Sequence, residues 1–231
     1  MAIPSKIPII PTQAVASYDY TDIAEGTGLM TFYGLVSFPN GVYSPTLSQN
    51  PIMSYYIEHS NDSTNPMPDD AFAVIPGCKW DFDLPAFNLA KTIGGTAVIQ
   101  HCFLHKNYGG STGDTSDAKL QYIVKKVSNG VETTLGSQFS LQSQSTPTNT
   151  YSNVVLAVLP ITLIQTHFKK GDILRLSVQA WAYQQAGGDR YLLMMIGTDP
   201  KNRDGTEITP STDTGVITQL IAQIPFRIDI A

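Results

Sequence analysis

The regular alternation of apolar and polar residues near the C-terminus constrains the fold of this chain more than any other feature. From residue 220 onward every second side chain is apolar: Leu220, Ala222, Ile224, Phe226, Ile228 and Ile230. Polar residues fall between them at Gln219, Gln223, Arg227 and Asp229. A period of two is typical of a strand with one face in a core and one face in water. We therefore expect Gly215–Ile230 to close the fold as a strand inside a sheet.

Further apolar segments, separated by turn signals, recur along the rest of the chain. They are Leu29–Phe38, Ile52–Glu58, Phe72–Ile75, Trp80–Leu84, Thr96–Leu104, Leu120–Val127, Val131–Leu135, Asn153–Leu159, Ile173–Tyr183 and Tyr191–Ile196. Many short strands without a convincing amphipathic helix predict an all-β protein. The polar loops between them mostly exceed hairpin length, which favours connections that cross between two sheets. We predict a jelly-roll-like antiparallel β-sandwich with an extended N-terminal arm.

Two tight turns and one weak helical signal add local detail. Asn-Gly in Ser128-Asn129-Gly130 predicts a hairpin with a type I′ turn. Lys169-Lys170-Gly171-Asp172 predicts a second turn, after which apolar and polar residues alternate through Tyr183. Pro160–Phe168 is compatible with one helical turn, although its β-branched residues weaken that interpretation.

Charge is sparse, and this narrows the possible partners. Charged residues make up 14% of the chain, against about 25% in ordinary soluble proteins. The net charge of −5 argues against nucleic acid, because binding a phosphate backbone requires clustered Lys and Arg. No apolar run is long enough to span a membrane. We expect neither a nucleic-acid nor a membrane partner, and no export signal in the Pro-interrupted N-terminus.

The first residues have a composition that suits binding to another chain. Within Met1–Thr12 the apolar and proline residues are Ile3, Pro4, Ile7, Pro8, Ile9, Ile10 and Pro11. Proline keeps such a segment extended and low in conformational entropy, so it can lie along a partner surface. The alternative is that it folds back on its own sandwich. We divide the chain into an arm, residues 1–28, and one β-sandwich domain, residues 29–231.

The candidate metal and thiol residues do not form a recognisable site. His101 and His105 lie in a predicted strand, where residues four apart are roughly 13 Å apart, too far to share one ion. We interpret them as surface or interface histidines. The segment Asp199–Glu207 does not have calcium ligands at the positions that an EF-hand loop requires. Cys78 and Cys102 could pair, but we favour two buried thiols. We expect no metal and no cofactor.

No catalytic constellation is visible in the sequence. There is no Gly-x-Ser-x-Gly nucleophile elbow, and no histidine lies in a nucleophile motif. The close carboxylate pairs, Asp69 with Asp70 and Asp81 with Asp83, would support a glycosidase only if two acids faced each other in a cleft. We expect that the chain is not an enzyme, and keep a β-sandwich hydrolase as a minor alternative.

Several aromatic residues lie beside loops or on polar strand faces. We select Tyr55, Trp181 and Tyr183 as candidates for an oligomer interface or a glycan-stacking platform. Both uses rely on flat rings with an apolar body and a polar edge. Because few charges accompany Trp181 and Tyr183, we expect their face to be covered in an oligomer.

The order of these segments resembles a known class of proteins. A Pro-spaced apolar start leads into ASYDYTDIAEGTG at residues 16–28 and TFYG at 31–34, and later come FKKGDILRL at 168–176 and the apolar final strand. Together they resemble jelly-roll head decoration (cement) proteins and other capsid-associated structural proteins of tailed bacteriophages.

The resemblance implies a function and a set of partners. It implies a virion structural protein on the capsid surface, assembled in the host cytoplasm, that binds the major capsid protein through the arm and the base of the sandwich. It also implies a homotrimer that stabilises neighbouring capsid subunits. The alternative is a glycan- or receptor-binding module at a fibre tip, with host-surface glycans as partners.

Overall fold

Strands account for all the regular structure in the described part of the chain. The computed structural model describes residues 27–37, 44–49, 57–60, 71–108, 115–145, 153–185, 191–198 and 220–228. These residues form β1 (Thr27–Ser37), β2 (Ser44–Ser48), β3 (Ile57–Ser60), β4 (Ala73–Asp83), β5 (Lys91–Tyr108), β6 (Thr115–Ser128), β7 (Val131–Phe139), β8 (Ser143–Ser145), β9 (Asn153–Phe168), β10 (Ile173–Gln185), β11 (Tyr191–Thr198) and β12 (Leu220–Ile228). The predicted all-β class is confirmed. Most of the predicted arm and Tyr55 lie outside the described residues.

The strands form one long sheet that folds over into a barrel-like sandwich. Its order is β3-β11-β5-β12-β1-β2-β4-β10-β6-β7, with β9 paired to β5 and β8 paired to β6. The pairs are antiparallel except at β2 and β4, which meet in parallel at Thr46 and Asp83. The edge strands β7 and β9 lie close together, since a side chain at Gly136 on β7 would collide with the Thr162 carbonyl on β9.

The longest strand, β5, is central to one layer. It pairs with β9 along one side, from Lys91 to His105. On its other side its first half pairs with β12 and its second half with β11. Its inward side chains, such as Ile93, Ile99 and Phe103, are completely buried. One strand therefore organises three neighbours and contributes a row of core residues.

The two segments with alternating apolar and polar residues bury the faces that the sequence predicted. On β12, Leu220, Ala222, Ile224 and Phe226 point into the core and are at most 6% exposed. On β10, five successive inward residues are buried as expected: Leu174, Leu176, Val178, Ala180 and Ala182. The opposite face of β10 is partly accessible except at Ser177, which is also buried.

Both predicted turns form: one joins two neighbouring strands of a layer, and the other joins strands of different layers. Asn129 and Gly130 have φ angles of 51° and 79°, which confirms a primed turn between β6 and β7. At the second turn Gly171 has a φ of 93°, and the amide of Lys169 donates to the Asp172 carboxylate at 2.7 Å. This turn joins β9 in one layer to β10 in the other, so it closes an end of the sandwich.

Three local predictions were wrong, each for a physical reason. Residues 160–168 continue β9 rather than forming a helical turn, because Ile161 and Leu163 alternate into the core with outward neighbours. The short strands β2 and β8 lie in segments predicted as polar loops. Their polar residues carry little periodic signal, and backbone pairing to longer strands makes them strands.

His101 is a core residue, which corrects its interpretation as a surface or interface histidine. It is fully buried on β5, and its Nδ1 lies 2.8 Å from the Tyr122 hydroxyl on β6. The two rings meet edge to face, 5.7 Å between centroids. Burial lowers the pKa of His101 to about 3, so the imidazole is neutral at ordinary pH and links the two layers.

Acid should weaken the fold through His101. The folded pKa of about 3 lies below the unfolded value near 6.5, so the stabilisation is complete above pH 6.5 and is lost as the pH falls toward 3. We expect a loss of about 2 kcal/mol between pH 8 and pH 5 from this group.

Urea unfolding of the native protein and of His101→Gln at several pH values measures this contribution. Gln cannot titrate, so its curve should lack the extra pH dependence although its stability at pH 7 is lower. Parallel pH dependences for the two proteins would contradict the assignment.

Candidate functional site

The outer face of the β4–β10–β6–β7 layer brings together side chains that are far apart in sequence. Across this face Arg175 pairs with Lys125, Gln179 with Gln121, and Trp181 with Lys119. On the other side of β10, Arg175 is opposite Asp83 and Trp181 is opposite Val74. Because each strand alternates, these residues share one surface, which is charged at one end and aromatic at the other.

The charged end is a network centred on Arg175. Its Nε and Nη2 each donate to the Asp83 carboxylate at 2.6 Å, and its Nη1 donates to Glu132 at 2.5 Å. Asp81 also contacts the guanidinium, at 3.3 Å, and Lys125 donates to Glu132 at 2.7 Å. The hydrogen bond from Lys125 is the main reason why the pKa of Glu132 is lowered.

Two of the candidate catalytic acids, Asp81 and Asp83, belong to this network. Asp81 and Asp83 lie on the same face of β4 and both contact Arg175, and the hydrogen bond with Asp83 is the main cause of the raised pKa of the guanidinium. They are therefore cross-strand ion-pair partners, whereas a glycosidase needs two acids that face each other across a cleft. Asp69 and Asp70 lie outside the described residues.

The aromatic end, which we call the aromatic cluster, consists of Phe72, Lys119, Phe139, Trp181 and Tyr183. The Lys119 ammonium lies 4.0 Å from the centre of the Phe72 ring and 4.4 Å from that of Phe139. Phe72 meets Tyr183 at 4.6 Å and Phe139 meets Trp181 at 5.5 Å, with interplanar angles of 76° and 81°. Rings around a cation in this way gain cation–π and edge-to-face contacts.

The cluster confirms that Trp181 and Tyr183 share a strand face, and it adds partners that the sequence did not reveal. Phe72 precedes β4 and Phe139 ends β7, so only strand pairing brings them beside β10. The indole of Trp181 donates to the Gln121 amide oxygen at 3.1 Å. These two ring pairs are edge to face, so neither pair forms a coplanar stacking platform.

The outer face of the opposite layer is built from β9, β5, β12 and β1 and differs sharply in chemistry. We call it the uncharged face. It comprises Leu29, Thr31, Tyr33, Thr96, Val98, Gln100, Val158, Pro160, Thr162, Ile221, Gln223 and Pro225. Strand register places them in rows, for example Pro160, Val98, Gln223 and Thr31 in successive strands. None of the twelve side chains is ionisable near neutral pH.

Several residues on or beside the uncharged face are open to solvent. Val158 is 56% exposed, and Ile164, three positions further along the same face of β9, is 68% exposed. Beside them lies a depression of about 520 Å³, which is lined by Gly94 and Gly95 and, at the border of the uncharged face, by the charged residue Arg227. Within the twelve residues of the uncharged face there is no charge to desolvate, and such a surface is suited to contact with another protein.

Metal and thiol candidates gain no support as a site in the part of the chain that the structure describes. No group of three or more His, Cys, Asp or Glu side chains is placed to hold an ion there. Asp199–Glu207 and the side chain of His105 lie outside it. Cys78 is a free thiol, so it does not form the possible disulfide with Cys102. Its burial raises the pKa of the thiol to about 12.

The described residues contain no helix with the length and apolar character needed to cross a membrane.

Comparison with known proteins gives a likeness of fold only. No family model and no curated protein matches the sequence. An aminopeptidase from the marine sediment archaeon Thaumarchaeota archaeon is similar in structure, with a TM-score of 0.51 and 10% identity over 85% of this chain and 37% of that chain. The chain therefore spans little more than a third of the aminopeptidase.

Two further likenesses are weaker. A CocE/NonD family hydrolase from Staphylococcus aureus has a TM-score of 0.45 and 12% identity, over 87% of this chain and 37% of that one. VP2 of infectious bursal disease virus, from a subviral particle, has a TM-score of 0.27 and 10% identity, over 84% of this chain and 42% of that one. Viral capsid structures thus occur among the similar folds, at a level too low to carry an argument.

The prediction that the chain is not an enzyme was wrong. It rested on the absence of a catalytic motif, yet the fold observed here recurs within a solved aminopeptidase. A missing motif gives no reason to separate this chain from an enzyme that shares its fold. At this level of identity the likeness itself shows the fold alone.

The ion pairs around Arg175 should contribute measurably to stability. We expect a coupling of about 1 kcal/mol between Arg175 and Asp83 in a double-mutant cycle with Arg175→Met and Asp83→Asn, because the contact is bidentate and only part-exposed. The coupling should shrink in 1 M salt. Urea unfolding of the four proteins measures it.

Lys79→Met is the matched control, since Lys79 makes a single 3.2 Å contact with Asp81 and its side chain is 41% exposed. Its effect should stay below about 0.5 kcal/mol. A zero coupling for Arg175 and Asp83 would show that the network is not formed in solution.

Proposed function

We propose that this chain is a virion structural protein of the head decoration class, which binds the major capsid protein and stabilises neighbouring capsid subunits. The observation that carries the proposal is the uncharged face, four strands wide. A surface that covers another protein for the lifetime of a particle gains from apolar area and loses by burying unpaired charge. On the uncharged face that loss is absent.

The size of the face indicates how it would be used. Four strands at about 4.8 Å spacing and five residues at about 3.4 Å rise give an area on the order of 300 Å². A stable interface needs roughly 800 Å² from each partner. The uncharged face is therefore proposed as the centre of a contact that requires further surface, and the apolar N-terminal arm from Ile3 to Pro11 supplies segments of suitable chemistry.

The aromatic cluster has a different place in this proposal. It lies on the opposite layer, so it remains available when the uncharged face is covered. We propose it as the contact between copies in a homotrimer, because half-buried Trp and Tyr side chains are enriched where proteins associate. One molecule would then contact the capsid with one layer and its neighbours with the other.

A charge placed on the uncharged face should detach the protein from particles. We expect Val158→Lys to weaken co-sedimentation with heads from the native source by at least tenfold. Val158 is already exposed, so the unfolding midpoint should change little. Val131→Lys is the matched control, since Val131 is 66% exposed on the other layer, and it should bind as the native chain does. Equal binding by both variants would contradict the proposal.

The second candidate is a glycan-binding module, favoured by the four rings and one lysine of the aromatic cluster. We expect that a glycan bound there would be lost with Trp181→Ala but retained with Val158→Lys. A glycan array followed by calorimetry on any hit provides the measurement. An array without hits would remove this candidate and leave the aromatic cluster as a protein contact.

A further inference from the structure

One end of the sandwich is closed by the connection between β4 and β5, residues 84–90. Backbone hydrogen bonds hold this connection against the turn between β9 and β10. The amide of Phe87 donates to the Asp172 carbonyl, and the amide of Gly171 donates to the Phe87 carbonyl, both at 2.9 Å. The amide of Leu84 donates to the Leu174 carbonyl at 2.9 Å. The backbone around this end is therefore well supported by neighbouring strands.

Lys91, the first residue of β5, points its ammonium into this end. Its Nζ lies 4.4 Å from the centre of the Phe87 ring, 5.6 Å from that of Phe226 and 3.9 Å from the Met30 sulfur. Lys91 is partly buried, and this burial lowers the pKa of the amine. Rings and a thioether solvate the cation only weakly compared with water.

The ammonium of Lys91 also has no acidic neighbour in the described ranges. Among those residues no carboxylate oxygen lies within 4.0 Å of its Nζ, whereas Lys79, Lys125 and Lys126 each contact one. A half-buried cation without a counter-ion is stabilised when an anion reaches it, because the charge-assisted hydrogen bond forms where water is scarce.

A pocket of about 420 Å³ adjoins the amine of Lys91. Its apolar lining comes from Leu47, Leu84, Pro85, Phe87 and Leu89. The amide side chains of Gln49 and Asn88 complete the rim. Leu89 is 72% exposed although it is a large apolar residue, so part of this wall is open for contact. The volume falls within the usual range for small-molecule sites.

We propose that this end pocket binds a carboxylate that carries an apolar chain, with Lys91 as the group that recognises the carboxylate. The apolar chain lies against Leu47, Leu84 and Leu89, and the carboxylate accepts a hydrogen bond from Nζ. Two sources present this chemistry: a free aliphatic carboxylate, and the C-terminus of a peptide that ends in an apolar residue. The pocket is separate from both the uncharged face and the aromatic cluster.

Octanoate is the probe for the free carboxylate, and calorimetry with the full chain at pH 7 measures its affinity. Lys91→Met should weaken binding at least tenfold, whereas Lys91→Arg should stay within a few-fold of the native value. Lys79→Met is the matched control, because it removes the same charge from a strand residue that does not line the pocket. It should bind octanoate normally.

Three additional arms make the result decisive. Octanol, which lacks the carboxylate, should bind at least tenfold more weakly than octanoate. Leu89→Glu changes an exposed residue, so it should fold normally while its negative charge weakens binding, and this tests the pocket even if Lys91→Met fails to fold. A peptide ending in leucine, compared with its amidated form, tests the second source.

The outcomes distinguish the two sources of the carboxylate. Octanoate binding that depends on Lys91 assigns a free carboxylate, and binding of the peptide acid but not of octanoate assigns a chain terminus. Binding that raises the pKa of the Lys91 amine in an NMR titration would support direct contact. Equal affinity of octanoate for the native chain and Lys91→Met, or no binding of either probe, would overturn the proposal.

Discussion

Backbone pairing along β5 is the interaction on which the rest of the structure depends. The strand bonds to β9 on one side and to β12 and β11 on the other, so breaking its register would separate three neighbours. Its inward residues include Ile99 and Phe103, and His101 reaches across to Tyr122 in the opposite layer. Because side chains alternate, a shift of one residue would expose this whole row. The outward row would change with it, and the uncharged face would lose its composition.

The two outward faces meet water in different ways. Around Arg175 the β4–β10–β6–β7 layer satisfies its charges internally, with acids from β4 and β7. In the opposite layer the twelve residues of the uncharged face carry no charge, and the charged residues Lys91 and Arg227 lie at its border. A chain with only 14% charged residues has thus concentrated many of its ion pairs on one side. That asymmetry, rather than any single residue, distinguishes a side suited to water from a side suited to a partner.

Periodicity explains which parts of the structure could be predicted. The alternation in β10 and β12 and the Asn129-Gly130 turn are local signals, and the structure has them as expected. The short strands β2 and β8 could not be found, because pairing rather than composition makes them strands. Phe72 and Phe139 join Trp181 only through register, and the burial of His101 depends on which face of β5 meets Tyr122. The prediction that the chain is not an enzyme failed because the absence of catalytic motifs carries no information about the fold.

The position of β12 has a consequence for how the molecule is made. This strand lies between β5 and β1, and its Arg227 is the register partner of Thr27 at the start of β1. Nearly the whole chain separates those partners, so closing the sheet carries a large loop entropy and should be slow. During synthesis β1 and β5 lack this neighbour until β12, the last of the described strands, has been translated. Until then the edge of each strand that will pair with β12 is exposed. Unpaired edges of this kind promote aggregation and are surfaces that chaperones bind.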